Sequence, residues 1–171
     1  MIVLYIAIIF LSALIHEAGH LLALTFFGAR VRIKITAAGF VIERSGGILS
    51  YPADLAVSLS GPLSNLAVFA LFAHSDSEIL SLIGGTSLLL GIVNLIPIKK
   101  LDGGEALLAL MSVLFSRQTA EAVVSFFSYV FIGAFFLIGI CLLLTSSPNP
   151  TFFIMYLWLF YNIYIKNEKN K

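Results

Sequence analysis

Ile15-His16-Glu17-Ala18-Gly19-His20 lies inside an apolar run that extends over residues 2–27. The run is long enough for a helix to cross a hydrocarbon core of about 30 Å. In a helix, residues four apart stack on one face, about 6 Å apart along the axis. His16 and His20 therefore present two imidazoles to one point, with Glu17 on the adjoining part of the helix surface. That spacing lets both rings bind one metal ion and lets the carboxylate take a proton from water activated there. Three ionisable groups within five residues are expensive at membrane depth, so the stretch reads as a functional site and not as packing.

Composition fixes the setting. The chain has 171 residues, 60% of them hydrophobic and 11% charged, with a mean hydropathy of +1.04. Soluble domains are about one-quarter charged, so this is the composition of an integral membrane protein. The length is that of a single membrane-embedded domain, residues 1–171, with no appended soluble module. A net charge of +1 with no basic stretch gives no reason to expect a nucleic-acid partner. Cys141, the one cysteine, lies in an apolar run and is expected to be a buried, inert thiol. No basic segment precedes the first run, so a cleaved signal peptide is not expected.

After Gly28 the period changes. Val31-Arg32-Ile33-Lys34-Ile35 alternates apolar and basic residues as a strand does, and residues 40–44 and 48–51 flank the turn signal Ser45-Gly46-Gly47. A small sheet of two or three strands is expected at the membrane surface, because open edges cannot face lipid. Residues 53–73 form a second span, interrupted by Ser60-Gly61-Pro62-Leu63-Ser64-Asn65, where a kink or a close helix contact is expected. A polar loop containing His74, read as a solvated side chain, leads to a third span over residues 79–98. Residues 106–115 are too short to cross and read as a partly embedded helix. Residues 120–145 and 151–165 complete about five transmembrane helices.

Charge orients them. If five spans alternate from an outside N-terminus, the inside segments are 28–52, 99–119 and 166–171, and these hold all ten Lys and Arg residues. The positive-inside rule then gives N-terminus out, C-terminus in. His16 and His20 fall about 10–16 Å before the inner end of the first span, at 1.5 Å per residue. Asp102 follows the third span at the same end.

A catalytic zinc site takes three protein ligands and keeps one position open. His16 and His20 supply two, and a carboxylate from elsewhere should supply the third. Asp102 stands out because Gly103 and Gly104 follow it and let the backbone approach closely; Glu105 is the alternative. Asn65 and Asn94 are uncharged hydrogen-bonding groups at membrane depth, suited either to gripping a substrate or to bonding between helices. An exposed strand edge would hold an unwound substrate segment by β-augmentation.

His16-Glu17-Ala18-Gly19-His20, then Ser60-Gly61-Pro62-Leu63-Ser64-Asn65, then Asn94-Leu95-Ile96-Pro97-Ile98-Lys99-Lys100-Leu101-Asp102-Gly103-Gly104 resemble, in that order, the motifs of the site-2 proteases, the M50 intramembrane zinc metalloproteases. The resemblance spans residues 5–110. It implies a three-helix catalytic core with a membrane-associated β element after the first core helix. It also implies one Zn²⁺ per chain held by His16, His20 and Asp102, with Glu17 as catalytic base and with Asn65 and Asn94 near the substrate. The compact layout is most similar to the sporulation-factor-processing branch, whose members cleave a membrane-tethered pro-sigma factor in the bacterial plasma membrane. That branch often carries a CBS domain, and further spans precede its catalytic helix; neither feature is present in residues 1–171.

The expectation is therefore an α-helical polytopic membrane protein acting as a zinc metalloendopeptidase. Its substrate would be a single-span or membrane-tethered protein, cut near the cytoplasmic leaflet, with a regulatory membrane protein as a further partner. The alternative is a catalytically silent relative that holds membrane partners or handles metal. No position of the catalytic set is missing, and no second cluster of acids or histidines marks a metal path.

Overall fold

A computed structural model describes residues 2–29, 31–36, 39–44, 49–145 and 157. In chain order the elements are α1 (Ile2–Phe26), β1 (Val31–Thr36), β2 (Gly39–Arg44), α2 (Tyr51–Phe72), α3 (Glu78–Asn94), α4 (Asp102–Leu114) and α5 (Arg117–Thr145). They fall into two compact units, Met1–Leu95 and Ile96–Lys171.

In the first unit α1, α2 and α3 pack against one another. The 25 residues of α1 make a rod of about 37 Å. Its end is built by Gly28, whose φ of +70° suits a residue without Cβ. The Gly28 N–H donates to Thr25 O and the Ala29 N–H to Leu24 O, at 3.0 and 2.9 Å. That pairing satisfies two of the carbonyls a helix end leaves open. Beyond it β1 and β2 form an antiparallel pair, in register from Val31 opposite Arg44 to Thr36 opposite Gly39. Of the stretch 48–51 read as a further strand, residue 48 lies outside the described residues, Leu49 and Ser50 are irregular and Tyr51 opens α2. Pro52 sits in the first turn of α2, where its missing N–H costs nothing.

Burial is inverted relative to a soluble protein. Ile2, Ile6, Phe10 and Phe26 are exposed on α1, whereas Ser12, His16, Asn65 and Ser87 are buried. Ser87 Oγ donates to Ser12 Oγ at 3.1 Å, tying α3 to α1. An apolar exterior around a polar seam belongs in lipid, where helix contact relies on small residues and internal hydrogen bonds. Three helices are long and apolar enough to cross a membrane among the described residues: α1, α2 and Arg117–Leu142 of α5. The chain is a helical membrane protein. The expected third span is shorter than the sequence suggests. α3 stops at Asn94 after 17 residues, about 25 Å, because Pro97 cannot continue it. Cys141 corrects another expectation: it is exposed, on a helix whose outer surface is apolar. The fifth span expected over residues 151–165 lies outside the described residues except for Leu157.

The second unit begins with a braced turn. The Leu101 N–H donates to Ile98 O at 3.0 Å, and Lys100 at its third position has φ +81°, the type II geometry that favours glycine. The turn is tied to α5, since the Lys99 N–H donates to Ser128 Oγ at 2.8 Å while that hydroxyl donates to Val124 O. Ile98 and Ile132 form the local core, with Ile96, Leu101, Phe131 and Phe135 against it. α4 then starts at Asp102 and buries a face of small residues, Gly103, Gly104, Ala106, Ala109 and Ser112.

At Gly104 an added Cβ would strike the Ile98 carbonyl, a backbone group with no rotamer to escape into. Gly104→Ala is expected to destabilise the protein by about 1–3 kcal/mol, read as a lower thermal midpoint in detergent. An unchanged midpoint would contradict the packing of this turn.

Candidate metal centre

The buried residues of α1 are Ile8, Ser12, His16, Gly19 and Leu24. The first four run at steps of three and four, which is the stripe a helix turns toward its neighbours. His16 therefore points inward because it shares a face with Ile8 and Ser12. His20, one turn on, is half-buried on the same side. Glu17, 100° round from His16 at one residue's helical rotation, is half-buried.

α2 comes very close to α1 here. A Cβ on Gly19 would lie 2.6 Å from Ser60 O and 2.7 Å from Ser64 Oγ. A Cβ on Gly61 would run into His20 Nε2. Gly19 thus lets the two helices touch, and Gly61 leaves the space that the His20 ring occupies. Ser64 Oγ strengthens the seam by donating to Gly61 O at 2.7 Å, with Ile15 O as a second acceptor at 3.1 Å.

Each imidazole is held from behind. His20 Nδ1 lies 2.8 Å from Val57 O. A carbonyl only accepts, so Nδ1 carries the ring proton and Nε2 of the neutral ring keeps a lone pair. Ser60 Oγ, which donates to Val57 O at 2.6 Å, sits 3.4 Å from the same Nδ1. His16 Nδ1 lies 3.2 Å from Asn65 Nδ2 on α2. In front, the two Nε2 atoms stand 3.2 Å apart, with the ring planes at 79° to each other.

That separation suits a metal. Two nitrogens bound at about 2.05 Å around a tetrahedral zinc lie about 3.3 Å apart. The Val57 carbonyl behind His20 is the outer partner that fixes the tautomer and direction of a ligating imidazole. The donor set of two neutral imidazoles suits zinc and also accepts other divalent metals.

The remaining sequence candidates lie as follows. Asp102 is half-buried at the start of α4, where the helix N-terminus favours a negative charge. Glu105, the alternative carboxylate, is exposed. Asn65 is fully buried and Asn94, the last residue of α3, donates from Nδ2 to Leu90 O at 3.0 Å. His74 is exposed in the α2–α3 loop. Sequence reasoning gave no role to Val57 or Ser60. No side-chain signal could have found the first, because its contribution is a backbone carbonyl.

Comparison with known proteins bears on the family and the fold. Residues 48–139, just over half the chain, match peptidase family M50. That segment contains Asn65, Asn94 and Asp102 and begins after His20. Proteins named "Putative zinc metalloprotease" in Staphylococcus aureus strains N315 and COL are 38% identical over 79 residues, which is 44% of this chain and 18% of theirs. The match thus spans less than a fifth of those relatives. The fold is similar to that of a site-2 protease from Methanocaldococcus jannaschii, with a TM-score of 0.69 at 20% identity, over 92% of this chain and 74% of that one. With its matched segment and an apolar helical architecture in agreement, the chain belongs to peptidase family M50.

Proposed function

We propose that the protein is an intramembrane zinc metalloprotease that hydrolyses a peptide bond in a transmembrane or membrane-tethered substrate. The observation that carries this reading is the pair of Nε2 atoms 3.2 Å apart, inside a helix apolar enough to cross a membrane. His16 and His20 are two of the metal ligands, and Asp102 is the third. Its carboxylate type, the close-packed Gly103 and Gly104 after it and its place at a helix N-terminus support that role; the exposure of Glu105 does not favour the alternative. Bound there, zinc supplies Lewis acidity for attack on the scissile carbonyl.

The chain's own groups do the rest. Glu17 takes the proton from the attacking water and returns it to the departing amine nitrogen, the general acid–base role its place beside the histidines suits. The apolar surroundings of α1 keep competing water away and strengthen each charge that develops. A helical substrate hides its amides, so the scissile segment has to be extended before attack. The β1–β2 pair is a candidate to hold it by adding a strand. We place the cut near the cytoplasmic leaflet, with the N-terminus outside, because all ten Lys and Arg fall on one side under that arrangement. A membrane-bound precursor of a transcription factor or sigma factor is the substrate class that the resemblance to site-2 proteases suggests.

Purified Glu17→Gln protein is expected to keep wild-type zinc while cleavage of single-span substrates falls by about 10²–10⁴-fold. Asp102→Ala is expected to lose both zinc and cleavage. Cleavage retained by Glu17→Gln would overturn the mechanism, and full zinc in Asp102→Ala would overturn the ligand assignment. Gly61→Ala, which puts a methyl group where His20 Nε2 stands, should weaken zinc binding by about tenfold or more with helicity unchanged. Wild-type zinc affinity in that variant would contradict the placing of His20.

A further inference from the structure

Asn65 has no exposed surface, and its two terminal atoms are in different situations. Nδ2 meets His16 Nδ1 at 3.2 Å, whereas Oδ1 is buried without a hydrogen-bond partner among the described residues. A buried carbonyl oxygen left unpaired is unfavourable, and such exceptions call for a reason. The side chain is closely packed at its root: α3 passes so near that a Cβ on Gly91 would lie 3.3 Å from Asn65 Cβ. The carboxamide can still turn about its last bond, which exchanges oxygen and NH₂ within almost the same volume.

The direction of the hydrogen bond decides which His16 nitrogen is available. While Nδ2 donates, His16 Nδ1 accepts, and the proton of the neutral ring sits on Nε2, facing His20 Nε2 at 3.2 Å. In that arrangement His16 Nε2 has no lone pair to give. Both Nε2 atoms become donors to one ion only if the His16 proton moves to Nδ1, as the Val57 carbonyl already requires of His20. Nδ1–H then needs an acceptor where Nδ2 now stands. Turning the Asn65 carboxamide brings the unpaired Oδ1 to that place.

We infer that Asn65 is the positioning residue for His16. Its Oδ1, turned toward the ring, accepts the Nδ1–H of a His16 that ligates through Nε2. The inference rests on the reading of His16 and His20 as a metal pair. It gives Asn65 a place behind the ligand and not against the substrate, and it explains why a carboxamide, donor and acceptor in one side chain, occupies the position.

The test uses the full chain in detergent, with zinc affinity measured by chelator competition and the imidazole nitrogens followed by ¹⁵N NMR. The chain has three histidines, so assignment is tractable. Asn65→Leu, of similar volume and without an acceptor, is expected to bind zinc about 10–100-fold more weakly, the usual effect of losing an outer-shell partner. Asn65→Asp, an acceptor alone, is expected to bind zinc at least as tightly as wild type. A merely structural role predicts the opposite order, since a buried carboxylate disturbs packing more than leucine does. In the zinc-loaded wild type, His16 should be protonated on Nδ1, a result that stands even if a variant fails to fold. Equal zinc affinity in folded Asn65→Leu and wild type, or His16 protonated on Nε2 when zinc is bound, would overturn the inference and leave the metal pair intact. If wild type and His16→Ala take up zinc alike, the metal reading itself falls, and this inference with it.

Discussion

Everything in the first unit depends on bringing two imidazole nitrogens to 3.2 Å inside an apolar helix bundle. Two neutral rings keep that approach only if each is held from behind, and the nitrogens in front can then share a proton or a cation. The fold supplies that hold with groups that cost it little else. Val57 contributes a carbonyl, Asn65 a carboxamide, and Gly19 and Gly61 contribute the absence of a side chain. The close approach of α1 and α2 is thus both packing and site construction. In lipid, where apolar contact gives little preference for one helix neighbour over another, the same small residues that let backbones touch also set the position of His20.

The second unit solves a different problem. A helix that begins with the carboxylate proposed as the third ligand must start at a fixed point, and its N-cap residue makes no side-chain cap. The preceding turn compensates. Lys100 adopts a left-handed conformation unusual for a residue with a side chain, the Lys99 amide is anchored on Ser128, and Gly104 lies flat against the Ile98 carbonyl. Strain of this kind persists when surrounding contacts over-determine it, and it gathers at functional places. Here it fixes where Asp102 emerges.

Much of this was legible in the sequence, for reasons that differ from element to element. The i, i+4 spacing of His16 and His20 is a helix property that any right-handed helix realises, so the pair could be read directly. Gly28 marked the end of α1 because only a residue free of Cβ closes that cap readily. Gly61-Pro62 signalled a close contact, but not that the contact would be with the His20 ring. The end of α3 was misjudged because hydropathy continues through Leu95 and Ile96, whereas the helix must stop before Pro97. Cys141 was misjudged because apolar neighbours imply burial only in water; beside lipid they imply exposure. Backbone contributions such as the Val57 carbonyl leave no trace in side-chain identity, and Asn65 could be read as polar at depth without revealing which histidine nitrogen it would meet.

The most direct test of a metal-dependent protease built on this pair is the metal content of the purified wild-type chain beside that of a His16→Ala, His20→Ala double variant. Elemental analysis after exhaustive washing in detergent should find about one zinc per wild-type chain, as a single catalytic site requires, and none above background in the variant. Wild-type protein without stoichiometric metal, or a variant that retains it, would contradict the assignment of His16 and His20 as ligands and the proposed activity with it.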